Sequence, residues 1–160
     1  MRLTALDLAV AVLALGLLAV VARSWGHAGA GGAGALLASP TLTPGALNPG
    51  VTQSTIRTTI CVRGWTRTVR PPSSDTSALK REQMRRFGLR GPPSAYQEDH
   101  LISLELGGSP TDPRNLWPEP YPRAAQVDRI ENELNAKVCS GDLTLAEART
   151  HESALKHEQG

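Results

Sequence analysis

The chain has 160 residues, of which 40% are hydrophobic and 20% charged, a size that fits one domain and excludes a second sizeable core. Aromatic residues make up only 4% of the chain, so we expect a small aliphatic core. The net charge of +2 is uneven: residues 57–90 contain nine basic and two acidic residues, and nine minus two gives a local +7. This half should attract polyanions, although a solvated basic surface has the same composition.

The N-terminal segment has the layout of an export signal. Residues 8–22 form an uninterrupted apolar run after Met1 and Arg2, and small residues follow at 28–30. The run is shorter than the roughly 20 residues that a membrane-spanning helix needs, which favours cleavage. Arg23 leaves an uncleaved anchor open as the alternative. Residues 1–30 are therefore predicted to be a signal peptide or single-pass membrane anchor, with the remainder secreted or in the cell envelope, outside the cytoplasm.

A linker is predicted after this segment. Residues 31–50 are rich in Gly, Ala and Pro, a composition that buries little surface. The folded domain is expected to span residues 51–160. Residues 51–56 have the β-branched content of a strand and are predicted to open the domain.

The export prediction bears on the state of the two cysteines, Cys61 and Cys139. Disulfides persist in oxidising compartments, so we predict that these residues are bonded to each other. Two buried free thiols are the alternative. Neither cysteine has the paired C-x-x-C spacing of a zinc site.

The rest of the chain predicts helices around a short hairpin. Residues 77–87 predict a helix that Gly88 ends, and residues 96–106 predict a strand that stops at the Gly-Gly-Ser-Pro sequence. Residues 115–117 predict a second extended piece, which Pro118 stops. Helical spacing then continues to residue 139, and residues 144–147 form a capping box that opens a last short helix. The apolar positions of the long helix are Val127, Ile130, Leu134 and Val138.

Four short sequence motifs follow one another along the chain. The chain reads TICV at residues 59–62, DHLISLELGG at 99–108, NLWPEP at 115–120 and DRIE at 128–131. In this order they resemble the HNH (ββα-metal) nucleases, especially the small exported members, over about residues 40–150. The resemblance implies an α+β fold, with a small ββα-metal domain, flanking helices and an N-terminal strand region behind the hydrophobic leader.

The resemblance also implies roles for three residues. His100 is expected to take a proton from water as the general base, and Asn115 to tether the loop that orients it. Asp99 is expected to help hold one divalent cation, Mg²⁺ or Mn²⁺. Adjacent residues on a strand point to opposite faces, so Asp99 and His100 share a site only if the strand bends or ends there. A structural histidine and a turn-forming asparagine are the alternatives.

The third metal ligand is the point where the sequence departs from the family. HNH proteins commonly place His or Asn early in the helix, and residues 123–127 contain neither. Asp128 and Glu131 lie three residues apart beside the apolar stripe, and either can supply the missing oxygen ligand. Charges on a solvated helix face, paired with Arg129 and Lys137, are the alternative.

Arg67 and Arg70, in the basic half, are predicted to contact phosphates without regard to sequence. The sequence thus predicts an exported metal-dependent endonuclease that hydrolyses phosphodiester bonds in DNA or RNA. No small-molecule cofactor is expected, and the membrane is a partner only through an uncleaved leader. One alternative is a catalytically inactive HNH scaffold that binds nucleic acid. The other is a disulfide-stapled cell-envelope protein whose basic residues meet anionic lipid or cell-wall polymer.

Overall fold

The computed structural model describes residues 37–158, which form an α+β domain. Among these residues, no helix is long and apolar enough to cross a membrane. The predicted leader at residues 1–30 lies outside the described part of the chain. The helices and strands, in chain order, are α1 (Trp65–Val69), α2 (Ser73–Arg86), β1 (Tyr96–His100), β2 (Leu116–Pro120), α3 (Tyr121–Ser140) and α4 (Leu145–Glu158).

The segment ahead of α1 packs on the domain from Ala38 onward. The backbone amide of Ala38 donates a hydrogen bond to the carbonyl of Lys156 at 3.0 Å, and Thr43 is fully buried. Leu47 pairs with Gly108 in an isolated β-bridge. The packed domain therefore extends further toward the N-terminus than the expected start at residue 51, into part of the predicted linker.

The strand predicted at residues 51–56 is wrong, because these residues form turns that lead into the 3-10 helix Ile56–Thr58. Hydroxyl groups supply the local hydrogen bonds. The Thr55 hydroxyl donates to the carbonyl of Gly50 at 2.9 Å and accepts from the amide of Thr52 at 2.8 Å. Such side-chain bonds compete with a sheet ladder.

β1 and β2 form a two-stranded antiparallel sheet in which Tyr96 pairs with Pro120 and His100 with Leu116. β1 is shorter than predicted, because the chain leaves the strand after His100 and turns into the 3-10 helix Leu104–Leu106. β2 is longer than predicted and continues through Pro118. In a two-stranded sheet alternate amides point away from the partner, so prolines two residues apart can be accommodated.

The Gly107-Gly108 pair lets the loop between the strands fold back on itself. Gly107 has a φ of +76°, a conformation that favours glycine. A Cβ on Gly108 would lie 1.8 Å from the carbonyl oxygen of Ile102 and 2.7 Å from Nδ2 of Asn115. Only glycine fits this approach, which keeps the loop against the end of β1.

α3 follows β2 directly and extends the predicted helix toward its N-terminus. One prediction fails: Ile130 is 36% exposed, whereas Glu131 is buried. Gly141 ends the helix with a φ of +93°. The buried stripe consists of Ala124, Val127, Glu131, Leu134 and Val138.

The predicted capping box opens α4. The amide of Thr144 donates to Oε2 of Glu147 at 2.8 Å, and the amide of Glu147 donates to the Thr144 hydroxyl at 3.2 Å. The helix then packs on α3 and on the loop between the strands. It is longer than the short helix expected from the sequence.

The predicted disulfide between Cys61 and Cys139 is confirmed, with the two Cα atoms 5.6 Å apart. It ties the turns before α1 to the last turn of α3. The main core lies beside it, between these turns, the interstrand loop, α3 and α4. Its buried members are Val51, Ile56, Ile60, Ile102, Leu106, Leu134, Val138, Leu145 and Ala148.

Candidate functional site

A polar cleft of about 370 Å³ lies where β1 ends, beside α3. It brings together five of the residues that the sequence predicts for the site. Asn115 and Arg67 are not among its lining residues. The predicted residues in the lining are Arg70, Asp99, His100, Asp128 and Glu131, and the others are Gln97, Glu98, Ser103, Leu104, Glu105 and Asn132.

His100 lies at the last position of β1, almost entirely buried. Its Nε2 is 3.2 Å from the carbonyl oxygen of Pro110. A carbonyl only accepts, so Nε2 carries the proton and, in the neutral ring, Nδ1 has a free lone pair. Burial lowers the pKa of His100 despite the opposing effect of the Asp99 carboxylate. The neutral ring therefore dominates at pH 7.

Asn115 is fully buried behind the cleft and ties the interstrand loop to the end of β1. Its Oδ1 accepts from the amide of Ile102 at 2.9 Å, and its Nδ2 donates to the carbonyl of Ile102 at 3.0 Å. Nδ2 also donates to the carbonyl of Ser109 at 2.9 Å. Because Ser109 precedes Pro110, this bond holds in place the carbonyl that orients His100.

Asp99 is held from behind by a lysine that the sequence reading missed. The Lys156 ammonium, fully buried, lies 3.0 Å from Oδ2 of Asp99 and also donates to the carbonyl of His100. Burial by itself would raise the pKa of Asp99, but the nearby Lys156 charge brings the pKa below its usual value. Asp99 is therefore ionised at neutral pH.

Two further carboxylates face the same ammonium. Oε1 of Glu131 lies 2.6 Å from Nζ of Lys156, and Oε1 of Glu152 lies 3.5 Å from it. Glu152 also accepts a hydrogen bond from the amide of Ser103 at 2.9 Å. Glu131 is thus a buried carboxylate whose Oε1 is bound to Lys156, and it is not a solvated helix charge.

Two glutamates of the hairpin are protonated at neutral pH. Burial raises the pKa of Glu98 to about 8, despite the opposing charge of Lys80. Burial also raises the pKa of Glu119 to about 8, and the charge of the nearby Asp99 carboxylate raises it further. Glu119 lies 3.5 Å from the guanidinium of Arg123 as well. The hairpin therefore carries less negative charge than its sequence suggests.

The other predicted residues divide between the cleft and the surface. Asp128 lines the cleft, and burial together with the charge of Asp99 raises its pKa. Arg70 lines the cleft and follows α1. Arg67 is exposed on α1, and its guanidinium lies against Gly64. A Cβ added to Gly64 would be 2.8 Å from Nη2 of Arg67. Of these two arginines, Arg70 is the one that lines the cleft.

The carboxylate oxygens of the cleft suit a cation that has few protein ligands better than one that is enclosed by protein ligands. Among residues 37–158, no group of three or more His, Cys, Asp or Glu side chains is arranged to hold a metal ion. Asp99 keeps Oδ1, which has only a 3.5 Å contact from Gln97, and Asp128 has no ion pair within the described residues. Mg²⁺ usually keeps several waters and uses one or two carboxylates plus a substrate phosphate. Oδ1 of Asp99 and the carboxylate of Asp128 fit that role.

The sequence did contain a signal for the buried lysine. Leu145, Ala148, Glu152 and Lys156 are all buried in α4, and they follow the same spacing of three, four and four as the apolar stripe predicted for α3. Extending the stripe through charged residues would have placed Glu152 and Lys156 on the inner face of the helix. When the tertiary partners are not known, such charged residues predict a solvent-exposed tail.

Comparisons with protein-family models, with curated proteins and with solved structures find no match to this chain.

Proposed function

We propose that this protein is an exported HNH-like nuclease that hydrolyses phosphodiester bonds of nucleic acid in the cleft at the end of β1. One observation carries the proposal. His100 lines a polar cleft with Nε2 turned to a backbone carbonyl, which leaves Nδ1 as the basic nitrogen. The order β1, β2, α3 and the role of Asn115 in tethering the loop also agree with the resemblance seen in the sequence.

The first chemical step uses His100. Nδ1 takes a proton from a water molecule as the water oxygen bonds to phosphorus; the P–O bond to the leaving sugar oxygen breaks, and that oxygen takes a proton from solvent. The lowered pKa of His100 keeps this nitrogen unprotonated at pH 7. The carbonyl of Pro110 stabilises the imidazolium that forms, because Nε2 continues to donate to it.

Arg70 supplies positive charge at the cleft, where it can pair with a phosphate oxygen. Asp99 and Asp128 are the residues that would hold a divalent cation, Mg²⁺ or Mn²⁺. When bound, such a cation stabilises negative charge on the phosphate and on the leaving oxygen. Asp99 suits this role because Lys156 keeps it ionised.

Export is part of the same proposal. The apolar leader predicted at residues 1–30 directs secretion or placement in the cell envelope. The disulfide between Cys61 and Cys139 supports an oxidising compartment, since disulfides are rare in reducing ones.

The proposal is tested with the purified domain, plasmid DNA, single-stranded DNA and RNA, in EDTA and with added Mg²⁺ or Mn²⁺. Cleavage should need the cation and should fall by at least about a hundredfold in His100→Ala, as expected on loss of a general base. His157→Ala is the matched control, because His157 forms a hydrogen bond with the carbonyl of Thr43 outside the cleft. Activity that survives His100→Ala refutes the assignment.

A second candidate function has its own observation. Lys156 already forms ion pairs with Asp99 and Glu131, two of the three predicted metal ligands. This favours an HNH-like scaffold that binds nucleic acid through its basic half without cutting it. Binding of nucleic acid at an affinity unaffected by Mg²⁺ or Mn²⁺, together with no cleavage in either, would select this function.

A further inference from the structure

A second pocket, of about 270 Å³, lies next to the cleft. Glu105 lines both, so the two cavities share part of their wall. Trp65 lines the pocket as the first residue of α1, and Arg70, which lines the cleft, directly follows the last residue of α1. Five residues of helix rise about 7.5 Å, which is roughly two nucleotides of a stacked strand at about 3.4 Å each. A strand with a phosphate in the cleft therefore has a base within reach of the pocket.

Trp65 gives the pocket an aromatic surface. Its side chain is partly buried: it packs against the main core and also lines the pocket. Trp117, the other tryptophan of residues 37–158, is 1% exposed and lies in a separate core cluster. Bases of single-stranded nucleic acid bind by stacking on aromatic rings, whatever their sequence, because every base has a π face. Trp65 is the tryptophan of the described domain that is open to such a base.

Two hydrogen-bond acceptors of the pocket lining have no donor among the described residues. Nδ2 of Asn135 donates to the carbonyls of Ile60 and Glu105, at 3.4 Å and 2.7 Å, whereas its Oδ1 accepts no hydrogen bond within residues 37–158. Oε2 of Glu105 is buried and has no partner in that range either. A buried acceptor without a donor is costly, so a ligand that brings N–H groups is favoured. The Watson–Crick edge of every base carries an N–H group, and that edge is open only when the base is unpaired.

The charge around the pocket favours a ligand that carries phosphates. Arg63 lines the pocket and is exposed, and it forms no ion pair with residues 37–158. Arg70 in the cleft is likewise exposed and has no ion pair in this part of the chain. Arginines that hold no carboxylate are available to phosphate oxygens. Phosphates on either side of a base in the pocket therefore meet a cation, an attraction that a flat uncharged ligand lacks.

We propose that this pocket receives one unpaired base of the strand whose phosphate lies in the cleft, so that the substrate is single-stranded nucleic acid. Trp65 stacks on the base, Asn135 and Glu105 accept hydrogen bonds from its edge, and Arg63 pairs with the backbone. A paired base is excluded, because its partner covers the edge and its neighbours in the stack cover its faces. The inference rests on the proposed function for the polymer and adds the form in which the polymer binds.

The experiment measures binding by the full chain in EDTA, where the proposed cleavage does not proceed. The probes are a single-stranded DNA dodecamer, its duplex, and an abasic dodecamer that keeps the sugars and phosphates but has no bases. Anisotropy of labelled probes gives the affinities, and quenching of tryptophan emission by unlabelled probes reports stacking. The variants are Trp65→Leu, Trp65→Phe and, as the matched control, Tyr121→Leu, which removes an exposed aromatic residue outside the pocket.

The single-stranded dodecamer should quench the emission of the wild type, and the abasic dodecamer should not. Trp65→Leu should weaken binding of the single-stranded dodecamer roughly tenfold, as expected on loss of one base stack, and Trp65→Phe should weaken it less. Neither substitution should change the affinity for the abasic dodecamer or the duplex. Tyr121→Leu should leave all three affinities as they are.

The proposal is overturned if the wild type is quenched no more by the single strand than by the abasic strand, a test that requires no variant to fold. Base-dependent quenching that persists in Trp65→Phe also overturns it, since another tryptophan then gives the signal. So does a Trp65→Leu protein that binds the single strand as tightly as the wild type, or that loses affinity for the abasic strand to the same degree.

These outcomes are separate from those of the cleavage assay. Base-dependent quenching of Trp65 in a chain that cleaves no nucleic acid would support the pocket and refute the nuclease. Cleavage that depends on His100, in a chain without base-dependent quenching, would refute the pocket and leave the nuclease standing.

Discussion

The side chain of Asn115 binds both backbone polar groups of Ile102, accepting from its amide at 2.9 Å and donating to its carbonyl at 3.0 Å. Ile102 lies two residues beyond the end of β1, and Asn115 directly precedes β2. One amide side chain therefore closes the loop that connects the strands. The carbonyl that orients His100 belongs to the same loop.

Asn115→Ala should destabilise the domain and abolish cleavage. It leaves the buried amide and carbonyl of Ile102 without partners, at about 1–3 kcal/mol for each unsatisfied group. Urea unfolding and a plasmid assay measure the two effects. Asn132→Ala removes an exposed amide of α3 and should change the free energy of unfolding by less than about 0.5 kcal/mol. An Asn115→Ala protein as stable as wild type would contradict the tethering role.

The stability of the domain in EDTA should fall as pH rises from 4.5 toward 8. The pKa of Glu119 is about 8 in the folded protein against an ordinary value of 4.5, so the folded state binds more protons over this range. Glu119→Gln mimics the protonated form and should flatten the decline. Glu98→Gln should act in the same direction, because the pKa of Glu98 is also about 8. Urea unfolding at several pH values measures the slopes, and parallel curves for wild type and Glu119→Gln would contradict this account.

The disulfide between Cys61 and Cys139 should contribute roughly 4 kcal/mol to stability, because it closes a long loop in the unfolded chain. The double variant Cys61→Ala with Cys139→Ala removes both thiols and avoids an unpaired one. Urea unfolding of this variant, and of wild type with and without reductant, measures the loss. Reductant should destabilise wild type and leave the double variant unchanged. Equal stability of oxidised and reduced wild type would show that the bond contributes nothing.

Arg70→Ala should weaken the binding of single-stranded DNA more than Arg67→Ala does. Arg70 lines the cleft, whereas the guanidinium of Arg67 lies against Gly64. Loss of one phosphate contact reduces the dependence of log K on log salt concentration by about 0.7–1. Fluorescence anisotropy at several salt concentrations measures both quantities. Equal effects of the two substitutions would assign the binding to the basic surface as a whole and not to the cleft.

Much of the local structure was predictable because its causes are local. The capping box at Thr144 and Glu147 and the glycine that ends α3 act within one helical turn. The strand predicted at residues 51–56 failed for a local reason too, since the hydroxyl of Thr55 satisfies nearby backbone groups that a β ladder would need. Propensity alone does not register this competition.

The candidate site was predictable in part. His100, Asp99 and Asp128 were placed by motif and spacing, and they do line one cleft. The choice between Asp128 and Glu131 was open in the sequence, and the structure shows that Glu131 forms an ion pair with Lys156 whereas Asp128 forms none among residues 37–158. A pattern of residues gives the chemical types available at a site, but not which of them are already bound to one another.

By itself, the sequence determined the α+β composition, the glycine turn beside the hairpin, the long helix and the cysteine pair. Only the tertiary structure decided that Lys156 lies beneath Asp99, 57 residues away along the chain. The reason is the cost of burying charge. A lysine near the end of a helix normally keeps its ammonium in water. It is buried only where carboxylates from other elements converge on that ammonium.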